Sequence, residues 1–386
     1  MAITKTDFIN FSKCPRYTAL AKIHQDKGEA DISYQDYKAA ERQDQLAEII
    51  NQMYEIKVID GEEEEIDKID LPNEQLAAML KYYKIVEKEA SRVAAKVFGG
   101  KTVAAESTFK QESFDFSQNG FNYLCYVDIY NETQEAINII EVKATTSAKC
   151  QRMHITKDKI EHSIWQQQGN FFYLKDEIAN YPITQEMELD KYQKTKAKLF
   201  DRYHELGKYV YDLAVQRFII EGEYQAANNP NIDKLRYYLG FLNKEYRFSG
   251  IYENDEPVYD LDENGNELIV FLDLTAVTAA YQEQIKHDAM KIEKYLKTLD
   301  ATPCALGKWC GFKTTSECPY FTTVCGAHIP HSNSVLNYLN GGTFEITPGQ
   351  KLSKLDLINE GYLDLLDIPE AAINNQNHLI QRDCYR

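Results

Sequence analysis

Apolar residues recur along this chain with two different periods, one typical of helices and one typical of strands. Helical spacing predicts helices in five segments: 35–55, 73–97, 158–176, 185–221 and 276–298. Short apolar runs predict strands in four further segments: 102–112, 121–130, 136–144 and 235–275. The first residues, to about His24, predict a short strand or turn followed by a helix. Together these elements predict a mixed α/β (α+β) protein.

Two neighbouring predicted strands carry residues with catalytic chemistry. Asp128 follows the apolar run 121–127, and Glu141 and Lys143 lie in the next strand. Side chains alternate along a strand, so Glu141 and Lys143 project from one face. Two carboxylates suit Mg²⁺ or Mn²⁺, and a lysine orients a water or offsets charge on a phosphate. The alternative is a hairpin with a solvated polar face.

The cysteines are distributed unevenly. There are eight, and they include Cys14 near the start and a group of three within residues 310–325. The chain length, this clustering and the lack of a predicted signal peptide argue against a disulfide scaffold. Four thiolates suit a [4Fe–4S] cluster or a tetrahedral zinc ion, and reduced cysteines without a metal are the third alternative. Cys304 is a spare thiol close to the group of three.

Net charge limits the partners of the chain. The formal charge of −17 over 386 residues argues against a general nucleic-acid binder, because phosphate contacts need clustered lysine and arginine. Two local basic clusters exist, and each predicts either contact with a nucleic-acid backbone or a solvated face: Lys143, Lys149, Arg152, Lys157 and Lys159, then Lys191, Lys194, Lys196, Lys198 and Arg202. No run approaches the ~18 apolar residues of a membrane span, which predicts a cytoplasmic protein without membrane contact.

The acidic strands resemble the PD-(D/E)xK nuclease superfamily. With one cysteine before these strands and three after them, the chain resembles the Cas4-like and RecB-type members that carry an iron–sulfur cluster. The likeness to a bacterial Cas4-like family, known for a domain of unknown function, extends over nearly the whole chain. The similar segments include residues 4–15, 44–54, 106–109, 162–166, 242–246, 307–325 and 365–369. The resemblance implies a restriction-endonuclease-like core and a metal-dependent DNA nuclease, most simply an exonuclease, that works with other nucleic-acid-processing proteins.

The resemblance also implies the ligands of two cofactors. A [4Fe–4S] cluster is expected on four cysteines, with zinc as the alternative: Cys14, Cys310, Cys318 and Cys325. Mg²⁺ or Mn²⁺ is expected on Asp128, Glu141 and the Val142 carbonyl, with Glu106 or Glu48 completing the shell.

Two further roles follow from the same resemblance. Lys143 is expected to position the attacking water, and a helical Gln166 is expected to orient Lys143 or a phosphate. The chain departs from the family pattern at two points. No histidine lies in 43–47, and Asn170 stands where a tyrosine follows the glutamine. These departures keep two alternatives open, a catalytically inert DNA-binding module and a zinc-stapled interaction module.

The predicted domain organisation has four segments. They are a nuclease core with the N-terminal cysteine (1–182), a helical and β insertion (183–300), the iron–sulfur cysteine segment (301–330) and a C-terminal extension (331–386). Relatives of this kind often continue into a further C-terminal domain, so a shortened extension is expected.

Overall fold

The computed structural model describes residues 2–26, 73–104, 112–311, 317–339 and 342–385. Its contacts divide the chain into two compact units. Unit 1 comprises Met1–Ser12 and Leu71–Lys297, and unit 2 comprises Lys13–Asp70 and Thr298–Arg386. This division differs from the four predicted segments, because strand pairing joins stretches that are far apart in the sequence.

The strands are short, with one exception of ten residues. In chain order they are β1 (Ala2–Thr4), β2 (Lys101–Ala104), β3 (Ser113–Gln118), β4 (Phe121–Tyr126), β5 (Ile129–Glu132), β6 (Ile137–Thr146), β7 (His154–Lys157), β8 (Ile160–Ser163), β9 (Trp165–Gln168), β10 (Phe171–Leu174), β11 (Leu235–Leu242), β12 (Tyr252–Glu253), β13 (Glu256–Pro257) and β14 (Ile269–Asp273).

The helices range from single turns to 26 residues. In chain order they are α1 (Lys5–Phe11), α2 (Pro15–Asp26), α3 (Asn73–Phe98), α4 (Ala148–Gln151), α5 (Ile183–Glu186), α6 (Leu189–Lys196), α7 (Gly207–Ala226), α8 (Thr275–Ala280), α9 (Gln282–Thr298), α10 (Lys354–Asn359) and α11 (Gln376–Cys384).

Unit 1 is a mixed α/β structure built on a seven-stranded sheet. The strand order is β2-β5-β6-β11-β14-β10-β9, with both parallel and antiparallel neighbours. Strand β6 pairs in parallel with β11, where Glu141 lies opposite Leu239, and antiparallel with β5, where Ile140 lies opposite Ile129. Strands β11 and β14, which fall within the predicted 183–300 insertion, therefore supply the middle of this sheet.

Strand β6 separates an apolar layer from a polar one. Nine of its ten residues are buried, as expected for an interior strand with helices on both faces. Ile140 and Val142 belong to the same core cluster as Ala90, Val93 and Ala94 of α3. By alternation, Glu141 and Lys143 project from the other face, where they meet side chains of α7.

A second sheet of three strands carries the N-terminus. Its order is β1-β4-β3, and β1 pairs in parallel with β4. Four aromatic rings join this sheet to α1 and α7, with neighbouring centroids 5.3–6.2 Å apart: Phe8, Phe116, Tyr123 and Phe218. This packing holds the start of α1 beside the polar face of α7.

Unit 2 contains α2, α10, α11 and several single turns. The segment Phe321–Cys325 forms a π-helical turn, and the Cys318 N–H donates to the Cys310 carbonyl at 2.9 Å. Tyr338, Phe344 and His378 are buried together, with ring centroids 4.9–5.3 Å apart.

The prediction of a helix over 158–176 is wrong. The segment instead forms β8, β9 and β10, and the two-residue turn 169–170 joins the last two strands. Gly169 has φ of 59°, which suits a tight hairpin turn. In β10, which pairs with β14, the buried Phe172 and Leu174 alternate with the half-buried Phe171 and Tyr173, so the period is that of a strand and not of a helix. The predicted helix 35–55 lies outside the described residues.

Candidate functional site

Strand β6 supplies the first two residues of the candidate site. Lys143 Nζ lies 2.8 Å from Glu141 Oε1, which confirms that the two side chains share one face of the strand. Both residues are buried. The prediction from strand alternation was therefore sufficient to place this pair.

Asp128 lies between β4 and β5 and is fixed to β6 by its side chain. Its Oδ2 accepts a hydrogen bond from the Val142 N–H at 2.8 Å. Loss of hydration raises the pKa of Asp128 to about 8, and the nearby charge of Glu141 adds to the effect. The structure thus brings together Asp128, Glu141 and Lys143.

Helix α7 contributes two residues that the sequence analysis missed. Asp212 Oδ2 lies 2.6 Å from Lys143 Nζ, and Gln216 donates to Glu141 Oε2 at 2.5 Å. The two are four positions apart and so lie on one face of the helix. A signal was present in the sequence, because both interrupt a largely apolar run of buried residues, 209–220.

Lys5 is the third residue that the sequence analysis missed. It is the first residue of α1, and its Nζ lies 2.9 Å from Glu141 Oε1 and 3.1 Å from Asp212 Oδ1. We refer to Lys5, Asp128, Glu141, Lys143, Asp212 and Gln216 as the acid–lysine cluster.

The ion pairs of the acid–lysine cluster determine its charge state. Burial raises the pKa of Glu141, but the charges of Lys143 and Lys5 lower it, and the net shift is downward. Burial lowers the pKa of Lys5, while the charges of Asp212 and Glu141 raise it, and the net shift is upward. Glu141 is therefore a carboxylate and Lys5 an ammonium over the whole physiological pH range.

The donor set of the cluster fits a hard divalent ion. Asp212 Oδ1, apart from its ion pair with Lys5, and Gln216 Oε1 are buried oxygens that accept no hydrogen bond within the described part of the chain. Carboxylate and amide oxygens are the ligands that Mg²⁺ and Mn²⁺ prefer. Among the described residues, however, no group of three or more acidic, histidine or cysteine side chains is arranged so that it could hold a metal ion.

One predicted site residue, Gln166, does not join the cluster in the structure. Gln166 lies on edge strand β9, and β10, β14 and β11 separate it from β6. Four strand spacings amount to roughly 19 Å, and Gln166 instead accepts a hydrogen bond from the Tyr181 hydroxyl at 3.3 Å. The helix-borne glutamine that contacts the site is Gln216. Glu48 and Glu106 lie outside the described residues, and a metal-binding role for the Val142 carbonyl stays a prediction.

Beside the cluster, three lysine side chains lie over the ring of Tyr209. Three ammonium groups lie 4.9–5.3 Å from the centroid of Tyr209: those of Lys143, Lys149 and Lys208. Lys149 is buried, so the solvated-face alternative does not apply to it. Of the second basic cluster, Lys191 pairs with Glu188 and Lys196 with Asp176.

The cysteines of unit 2 form a separate candidate metal centre. Five thiols line one cavity whose wall is otherwise mainly apolar: Cys14, Cys304, Cys310, Cys318 and Cys325. Burial raises the pKa of Cys14 to about 12 and that of Cys318 to about 11. Cys304 lines the same cavity as Cys14, so it belongs to the same group.

This donor set fits an iron–sulfur cluster or zinc in its chemistry. Four or more thiols in a mainly apolar cavity are a usual setting for either group. A bound cation would favour the thiolates that burial now disfavours.

No family model, curated protein or solved structure matched this chain. No helix in the described residues is long and apolar enough to cross a membrane.

Proposed function

We propose that this chain is a metal-dependent deoxyribonuclease of the PD-(D/E)xK type, most simply an exonuclease related to the Cas4-like and RecB-type enzymes. The observation that carries the proposal is the convergence of five side chains, three buried and two half-buried, in one cluster: Asp128, Glu141, Lys143, Asp212 and Gln216. Acids from an inter-strand turn, a strand and a helix, with a lysine between them, are the parts that phosphodiester hydrolysis requires.

Each residue of the cluster has a distinct role in this proposal. Asp128, Glu141 and Asp212 would hold Mg²⁺ or Mn²⁺, which supplies Lewis-acid activation of the phosphodiester when bound. Lys143 would orient the attacking water and offset negative charge on the phosphate. Gln216 fixes Glu141 through Oε2 and leaves Oε1 directed towards the lysines.

The cysteines are proposed to bind a [4Fe–4S] cluster, with zinc as the alternative. Cys14, Cys310, Cys318 and Cys325 would provide four thiolates. Their role is structural, because joining residue 14 to residues near 320 closes a loop of roughly 300 residues and restricts the unfolded chain.

DNA is the proposed substrate despite the acidic composition. Lys149 and Lys208 lie over the same Tyr209 ring as Lys143. A DNA strand whose phosphate reached the cluster would therefore lie close to several lysines. A cytoplasmic location and cooperation with other nucleic-acid-processing proteins belong to the same proposal.

A catalytically inert DNA-binding or zinc-stapled interaction module is the second candidate. The observation that favours it is the pairing of Glu141 and Asp212 with two lysines, which neutralises the acids without a metal. The histidine absent from 43–47 points the same way.

Cleavage of end-labelled single- and double-stranded DNA with Mn²⁺, Mg²⁺ or EDTA tests the proposal. We expect divalent-ion-dependent cleavage that Lys143→Ala abolishes while DNA binding and the melting temperature are largely retained. Gln216→Ala should reduce the rate about tenfold or more, since it frees Glu141 from its fixed orientation. Gln166→Ala is the matched control and should cleave like the parent. Full cleavage by Lys143→Ala would refute the assignment, and DNA binding without cleavage by the parent would favour the inert module.

A further inference from the structure

Lys5 and Lys143 bridge the same two carboxylates. Lys143 Nζ lies 2.8 Å from Glu141 and 2.6 Å from Asp212, and Lys5 Nζ lies 2.9 Å and 3.1 Å from the same two residues. Two ammonium groups therefore balance the two acids. A divalent ion approaching this pair meets no net negative charge from these four side chains.

A capping box and aromatic packing together fix the position of Lys5. Thr4 and Asp7 form a capping box at the start of α1, and Phe8 packs against Tyr123 and Phe218. A positive side chain in the first turn opposes the helix dipole, so Lys5 is unfavourable there on local grounds. Residues that break a local rule are expected where a tertiary interaction or a function requires them.

Lys5 and Lys143 differ in how readily each can leave the acids. Lys143 is held on the interior strand β6, two residues from Glu141, and its side chain is 11% exposed. Lys5 reaches the acids from α1, and its side chain is 19% exposed. Of the two lysine side chains, that of Lys5 is the more exposed, and it is not held on the strand that carries Glu141.

We propose that Lys5 is an internal counter-ion of the metal site, which rests on the function proposed above. Its ammonium group forms ion pairs with Glu141 and Asp212 while no divalent ion is bound. These ion pairs break when a divalent ion binds the two carboxylates. Lys5 is thus a positioning residue that sets metal affinity: it stabilises the metal-free protein and competes with the metal. Lys143 remains in place in both states.

Mn²⁺ binding to the full chain, purified anaerobically and stripped with EDTA, tests this role. Isothermal titration calorimetry should give Lys5→Met an affinity about tenfold or more above that of the parent, because one competing positive charge is gone. Lys5→Arg keeps the charge and should bind like the parent. Lys96→Met is the matched control. Lys96 also pairs with a buried acid, Glu267, but it lies on α3, which packs on the other face of the sheet.

Melting curves in EDTA provide a second measurement that does not depend on activity. Lys5→Met should melt below the parent in EDTA and gain more than the parent from added Mn²⁺. Equal or weaker Mn²⁺ affinity in Lys5→Met would overturn the counter-ion role while leaving the metal site intact. Absence of Mn²⁺ binding in both proteins would instead refute the metal site, and with it the proposed function.

Discussion

Asp128→Asn should remove one part of the pH dependence of the free energy of unfolding. Asp128 has a folded pKa of about 8, whereas an unfolded aspartate titrates near ~3.9. Between these two values the folded protein holds a proton that the unfolded chain releases. The contribution of Asp128 to the free energy of unfolding is therefore fully present below about pH 4 and is lost as the pH rises through 8.

The magnitude follows from linkage. One proton of difference changes the free energy of unfolding by about 1.4 kcal/mol per pH unit. Asparagine cannot ionise, yet it keeps an oxygen that accepts the Val142 N–H. The free energy of unfolding of Asp128→Asn minus that of the parent should therefore rise by roughly 3 kcal/mol from pH 5 to pH 7.

Urea unfolding at pH 5, 6 and 7 in EDTA measures this difference. The chain has two tryptophans, and Trp165 is buried in the same unit as Asp128. A Trp309→Phe background lets fluorescence report that unit alone. A difference that does not vary with pH would refute a protonated Asp128 in the metal-free protein. Added Mn²⁺ should flatten the dependence, because a bound cation favours the carboxylate.

Two further predictions concern packing and the cysteines. Gly222→Ala should lower the free energy of unfolding by about 1–2 kcal/mol despite better helix propensity, since the new Cβ would lie 2.6 Å from the Phe116 ring; a more stable variant in urea unfolding would contradict that packing. The Cys310→Ala protein should lose both the visible absorption of an iron–sulfur cluster and the solubility of the parent protein. Cys150→Ala, in unit 1, is the control and should keep about four irons per chain. Stoichiometric zinc without iron in the parent would support the zinc alternative.

Several elements of this protein are determined by local sequence. The alternation in β6 was enough to place Glu141 and Lys143 on one face, and the apolar run 121–127 was enough to locate Asp128 beside them. The helices predicted over 73–97 and 276–298 are present as α3, α8 and α9. These features rest on side-chain periodicity within one element, which a sequence displays directly.

The rest of the site was decided by tertiary structure. Lys5 and Gln216 reach Glu141 across 136 and 75 residues of sequence, and Asp212 reaches Lys143 across 69. Tertiary structure also decided the position of Gln166. Its strand β9 pairs with β10, which pairs with β14, so Gln166 lies at the far edge of the sheet. Local periodicity indicates which face a side chain occupies, but only the packing of one element on another determines which charges meet. Asp128, Glu141 and Lys143 are therefore visible in the sequence, while Lys5, Asp212 and Gln216 became visible only in the fold.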